Sequence, residues 1–461
     1  MTMKINFNLL KAILAITCLG QFQIHAQTNP AITAWLQNTV TTGRHYVSGN
    51  PTPVTDAVLA NVQKVQYSSN NVYITTQGIP TYITGPFLDG NPSLATGQNA
   101  IFKMPLSPVQ NTSTPVSTTG GNIGQFINGV ALFDYRDGVS WQNSTSTLKG
   151  GPYGGQGDNV WNRDAVVGER LGFDCAKGHP AMGNYHHHQN PSAFKLDIVV
   201  ISTICTVYNA DGLYVIDSTK HSPLIGFAAD GFPIYGAYAY KNTNGTGGIT
   251  RMKSSFSKRN ITTRTTYYTG NTVTAGPPVN STYPVGYFRE DYQYNATSAA
   301  TPDYLDDHNG RFSVTPEYPN GIYCYFATVD ANWNSAYPYA VGPYFYGSNV
   351  ATKVTNITET VSTYTVANGT TGLNALKLKS DDILVFSIPA NDMVAVQLND
   401  INKKDVMIDL CDVNGMVVQK VTLHQGSTLA YFDSRTLYQG IYFVRVHNGS
   451  ELVTKKILLE K

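Results

Sequence analysis

Charge is scarce in this sequence: 13% of its 461 residues are Asp, Glu, Lys or Arg, against roughly a quarter in an average globular protein. The 31 basic and 30 acidic side chains leave a formal net charge of +1. No global field gathers polyanions, which excludes nucleic acid and acidic lipid surfaces as general partners. Past the N-terminus no apolar run approaches the ~18 residues that span a bilayer, so no transmembrane segment is expected. Cysteine is rare, with five in the chain, too few for a disulfide scaffold at this length. Glycine (41), proline (23) and tyrosine (30, against 18 phenylalanines) are plentiful. That mixture suits short strands and many turns. The expected fold class is all-β, mainly antiparallel, with few short helices.

The N-terminus reads as an export signal. Lys4 and Lys11 precede the apolar run Ala12–Ile16, which continues through Cys18-Leu19, and Ala26 offers a small residue for cleavage before Gln27. Residues 1–26 are therefore expected to be a signal peptide. Its removal leaves Cys175, Cys205, Cys324 and Cys411, which permit three full pairings. Cys175 and Cys205, thirty residues apart in a Gly/Pro-rich region, close the shortest loop and are the expected disulfide. Cys324 and Cys411 are expected to be free.

Alternating patterns dominate after one short helical stretch at Pro30–Leu36. Val65-Gln66-Tyr67 and Val72-Tyr73-Ile74 flank an Asn-Asn turn, while Ile127–Asp134 and Ser222–Gly236 each set a buried strand beside an Asn-Gly or Asp-Gly turn. Around 346–380 Thr, Val, Asn and Ser replace the Gly/Pro/Tyr signature. The expected division is a β-rich domain at 27–350, a linker at 351–384 and a small C-terminal β-sandwich at 385–461. This tail resembles the C-terminal sorting domain of the type IX secretion pathway, through Asp412-Val413-Asn414-Gly415, Leu437–Val446 and the ending Lys455-Lys456-Ile457 plus hydrophobics. The resemblance implies handling by the type IX machinery as a partner, passage through the outer membrane, and a secreted or cell-surface destination.

The histidines carry the chemistry. His179, His186, His187, His188 and His221 fall within 43 residues of one another. If Tyr185–His188 is a strand, its period of two places His186 and His188 on one face and Tyr185 and His187 on the other. Two imidazoles at i and i+2 suit a divalent transition metal, and the Gly turn after His179 lets the chain fold back with a third nitrogen. The expected ligands are His179, His186, His188 and His221. Asp230 and Tyr185 are expected in supporting positions, with Asp230 orienting an imidazole. The expected cofactor is copper or zinc, copper slightly ahead because His and Tyr abound and paired thiolates are missing. A metal-dependent extracellular enzyme is the alternative. A third reading, a carbohydrate or surface-adhesion module, rests on Trp141, Trp161 and Trp333 as stacking faces. No Gly-x-Ser-x-Gly elbow, Walker loop or His-Glu-x-x-His motif is present.

Asp174–Pro191 resembles the YHYH family of exported bacterial proteins, named for a Tyr-His-Tyr-His strand after a Cys/Gly-His turn. Here His187 stands at the third position, leaving the pair His186 and His188 intact. The stretches His221–Gly236, Leu305–Phe312 and Thr315–Phe326 match in order, so the similarity spans about 130–347. It implies an exported β-rich protein without fixing a reaction. The sequence also echoes itself: Asp174-x-x-Lys177-Gly178-His179 with Gly183–His188 parallels Asp306-x-x-Asn309-Gly310-Arg311 with Gly321–Phe326. In this second copy Arg311 replaces His179, and Cys324 and Phe326 stand where His186 and His188 do.

Overall fold

The computed structural model describes residues 29–460 apart from 89–93, 119, 152–153, 193–204, 206, 209–211, 298–300, 366–381, 389–391, 399–404, 425–426 and 448–451. The expected signal peptide lies outside the described residues. The fold is all-β with short helices at Pro30–Thr33 (α1) and Ala165–Glu169 (α2).

Two sheets build the main core. The smaller contains β1 (Val62–Tyr67), β2 (Asn71–Thr76) and β3 (Ala100–Pro105). The larger contains eight strands: β4 (Asn122–Phe126), β5 (Ala131–Phe133), β6 (Gly178–Ala181), β7 (Asn184–His187), β8 (Leu224–Ala228), β9 (Pro233–Tyr235), β10 (Gly310–Ser313) and β11 (Ile322–Phe326). Two further strands, β12 (Thr352–Val354) and β13 (Ser362–Tyr364), complete the smaller sheet in the order β12-β3-β2-β1-β13. The first part of the stretch read as a linker thus forms both edges of a core sheet. Apolar residues of the two sheets, among them Val65, Ile74, Met104, Phe126, Leu132, Ile234 and Phe326, share one cluster. Burying each large side chain contributes about 1.5–3 kcal/mol.

The larger sheet has the order β6-β7-β5-β4-β8-β9-β11-β10, which reads the same from either end once the second half is matched to the first. In each half a hairpin (β4–β5, β8–β9) meets a second hairpin (β6–β7, β10–β11) through a parallel pairing, β7 with β5 and β9 with β11. The halves join antiparallel at β4–β8. The central hairpins turn at Asn128-Gly129 and Asp230-Gly231, whose glycines have φ of +78° and +88°, values that side chains disfavour.

The register makes the duplication exact enough to follow residue by residue. His179 pairs with His186, His186 with Ala131, Ala131 with Gln125, and Gln125 with Phe227 across the centre. Beyond it, Phe227 pairs with Pro233, and Arg311 pairs with Cys324. The turns match as well. Asp174 Oδ1 accepts from the backbone N–H groups of Ala176 and Gly178, as Asp306 Oδ1 does from His308 and Gly310. Tyr185 Oη donates to Asp174 at 2.9 Å and Tyr323 Oη to Asp306 at 2.8 Å. Lys177 and Asn309 both adopt positive φ, +65° and +63°.

The C-terminal unit is a seven-stranded sandwich of a three-stranded and a four-stranded antiparallel sheet between Ile383 and Leu459, closed over Val394, Val396, Ile408, Leu410, Val444 and Val446. Cys175 and Cys205 form a disulfide, and Cys324 and Cys411 are free and buried.

Candidate metal centre

The Asp174 turn and the β6–β7 hairpin bring His179 opposite His186 in register, and alternation along the chain returns His188 to the same side. The three side chains are buried, and one ligand atom from each lies within 4.8 Å of the others. His186 Nε2 is 3.0 Å from His188 Nε2, which is 3.5 Å from His179 Nε2.

Hydrogen bonds on the far side of two rings fix which nitrogen faces inward. His186 Nδ1 lies 2.9 Å from the Asn184 carbonyl oxygen, and His188 Nδ1 lies 2.7 Å from that of Asp134. A carbonyl only accepts, so each Nδ1 carries the hydrogen and each Nε2 of the neutral ring presents a lone pair to the centre. Burial, reinforced by the neighbouring His188 and His179, pushes the His186 pKa well below its ordinary value and keeps that lone pair free.

The fourth group is Glu169, which the sequence reading missed. Asp164 caps α2, accepting from the N–H groups of Val166 and Val167, and five residues later the helix delivers Glu169 Oε2 to 3.1 Å from His179 Nε2 and 3.3 Å from His188 Nε2. Burial opposes ionisation of Glu169, but the hydrogen bonds and charges of His179 and His188 outweigh it and hold the carboxyl far below the usual range. Its side chain is 19% exposed while those of His179 and His188 are 6% and 3%, so the centre meets solvent on the Glu169 side. Nothing local in the sequence marks Glu169. The signal available was a capping Asp164 before a five-residue helix ending in Glu, ten residues ahead of His179.

Aromatic rings hold the imidazoles. Phe133 stacks on His186 with centroids 4.0 Å apart, and Phe173 meets the His179 ring edge at 5.0 Å. On the other face His187 shares a 2.7 Å hydrogen bond with Tyr82 Oη, and burial lowers its pKa to about 3. Tyr185 also faces away from the cluster. Its hydroxyl donates to Asp174, whose carboxyl burial raises to about 7.

Two expected members lie elsewhere. His221 is outside the cluster: its ring packs against Tyr235 and Tyr240, and its Nδ1 donates to the Ser222 carbonyl. It precedes β8 and so belongs to the second copy. Asp230 orients no imidazole. It accepts from Tyr325 Oη at 2.6 Å and from the Gly347 N–H at 2.7 Å, closing the second hairpin. The tryptophans present no platform either. Trp141 and Trp161 are buried with Phe288, and Trp333 packs against the main core, its Nε1 donating to Tyr238 Oη.

The second copy answers the same position differently. Arg311, at the place of His179, donates from Nε to Ser313 Oγ at 3.0 Å and from Nη1 to the Lys241 carbonyl at 2.8 Å. It also bonds the carbonyls of Pro302 and Tyr240. A permanent guanidinium occupies the spot where the first copy gathers lone pairs and a carboxylate.

Comparison with known families agrees with this anatomy. The model of the secretion system C-terminal sorting domain matches residues 384–460, the tail of an exported protein handled by the type IX machinery. No curated protein matches the chain. The family model described as YHYH protein matches residues 101–339, which contain the whole eight-stranded sheet and the histidine cluster, and with just over half of its length so matched the chain belongs to the YHYH family.

Proposed function

We propose that this exported protein binds one transition-metal ion through the Nε2 atoms of His179, His186 and His188 and a carboxylate oxygen of Glu169. The observation that carries the reading is the convergence of three buried imidazole nitrogens and one carboxylate. Nitrogens 3.0–3.5 Å apart need a cation between them, a proton or a metal ion, and two backbone carbonyls hold the Nε2 atoms of His186 and His188 turned inward toward it. Four separations, from 3.0 to 3.5 Å, surround the about 3.3 Å that divides two donors held tetrahedrally at 2.0–2.1 Å from zinc. A sulfur-free set of three imidazoles and one carboxylate suits zinc or copper(II). The tetrahedral spacing moves the preference from copper to zinc.

The role is metal binding at the cell surface or in secreted form, after removal of residues 1–26 and with the C-terminal sandwich as the export address. The test is metal content by mass spectrometry on mature protein purified without a His tag or chelating resin, beside the His186→Ala/His188→Ala variant. Near-stoichiometric zinc in the parent, lost in the variant, is the expected result. Stoichiometric copper keeps the site and reverses the choice of metal. A parent that is empty and takes up neither ion sinks the reading.

A further inference from the structure

A cavity of about 140 Å³, open to solvent on the side of Ala351 and Lys353, lies between β4–β5 of the larger sheet and β2–β3 of the smaller, so that a ring seated in it keeps one edge outside. Gln125 on β4 lines it. The residue is 2% exposed, and neither its Nε2 nor its Oε1 has a hydrogen-bond partner. Buried amides are ordinarily paired, and an orphan of this kind asks for an explanation. The fold does not require an amide here. Phe227 sits directly opposite Gln125 and is its counterpart in the second copy, so the same position accepts a fully apolar side chain.

The rest of the lining defines what fits. Phe102 and Phe133 supply aromatic surface, and Asn122 and Asn184 supply further neutral polar groups. The charged member of the lining is Lys353, which is exposed. An anionic or cationic ligand would find no buried counter-charge. An uncharged, ring-sized molecule with an apolar face and an adjacent donor and acceptor on its edge matches each feature.

We propose that this cavity binds a neutral sugar ring. One hydroxyl donates to Gln125 Oε1, a neighbouring hydroxyl accepts from Nε2, and the C–H face of the pyranose rests against the phenyl rings. The sugar would lie beside the metal centre, because Gln125 and His186 both pair with Ala131 and so share a face of the sheet. Phe133 lines the cavity and stacks on His186. The sugar contacts use none of the four proposed metal donors.

The test titrates the mature protein with glucose, galactose, mannose and xylose, using saturation-transfer NMR and calorimetry. Gln125→Leu removes the amide at similar volume, and Ala351→Leu narrows the cavity from its partly exposed side without touching the amide. The expected result is saturable binding of at least one sugar, weakened tenfold or more in both variants and retained in His186→Ala/His188→Ala. Absence of binding by the parent, whether or not it carries metal, overturns the proposal and leaves the metal reading standing. Binding that survives both cavity variants overturns it by placing the sugar elsewhere. A Gln125→Leu protein that melts higher, beside a parent that binds no sugar, assigns the cavity to water alone.

Discussion

The two halves of the eight-stranded sheet share strand order, register and turn chemistry, yet one ends in three imidazoles and a carboxylate and the other in an arginine. Asp174 and Asp306 organise equivalent turns, held by Tyr185 and Tyr323. The frame is therefore independent of the chemistry: it sets a residue after a tight Gly turn against the strand that follows. Where that residue is His179, the position collects electron pairs. Where it is Arg311, the position carries its own cation and satisfies it with backbone carbonyls. On the proposed reading one half receives a positive charge, and the other keeps its own.

The sharpest way to break this contrast is to empty the first half. His186→Ala/His188→Ala should lose essentially all bound metal. It should also forgo the about 4 kcal/mol that a ligand at a thousand times its Kd adds to folding, read as a lower melting temperature than the loaded parent. Metal-free, the variant should still melt somewhat lower than the parent, because it loses two buried rings and the donors to the Asn184 and Asp134 carbonyls, so the metal's share is read as the difference between loaded and metal-free parent.

The mirror experiment acts on the second half. Arg311→Ala leaves buried carbonyls without a donor and should cost about 3 kcal/mol by urea denaturation, with metal content unchanged. His179→Ala, at the equivalent position, should do the reverse and lose metal without comparable loss of apo stability. Matching phenotypes for the two would show that the halves do not differ as argued.

Glu169→Gln keeps the shape of the side chain and removes its charge. Metal affinity should fall at least by the about 10–100-fold typical of losing a supporting group, measured by competition with a chromophoric chelator, while the fold persists.

The smallest effect concerns pH. Burial, aided by the charge of Arg311 and opposed by the bond to Ser222, lowers the His221 pKa to about 4. An unfolded chain would protonate this histidine near 6.5, so its contribution to stability is complete above that pH and is lost as pH falls toward 4. His221→Phe should therefore flatten the decline in stability between pH 6.5 and 5 by about 1 kcal/mol, read from urea midpoints at the two values.

Much of the first half was legible in the sequence. Alternation placed His186 and His188 together, and the Gly turn returned His179 to them. The repeated Asp-x-x-x-Gly text carries the duplication in the sequence itself. His221 was misplaced because closeness in sequence stands in poorly for closeness in space: the chain crosses the centre of the sheet before reaching β8 and enters the other copy. Glu169 escaped because its reach depends on the direction of a five-residue helix set by Asp164, and no periodicity records that direction. The tryptophans were offered as platforms because residue type does not reveal burial. The linker was read from composition, and β12 and β13 show that Thr- and Val-rich text also makes edge strands.

Those two edge strands govern where the chain tolerates a cut. A chain ending just after Tyr364 keeps β12 on β3 and β13 on β1, so both borders of the smaller sheet stay paired. A chain ending before Thr352 bares the N–H and C=O rows of β1 and β3 at once, and such rows recruit other strands into aggregates. A cut that removed the sorting domain and left the smaller sheet whole would have to fall between Tyr364 and Ile383, a window set by sheet closure rather than by the sorting domain.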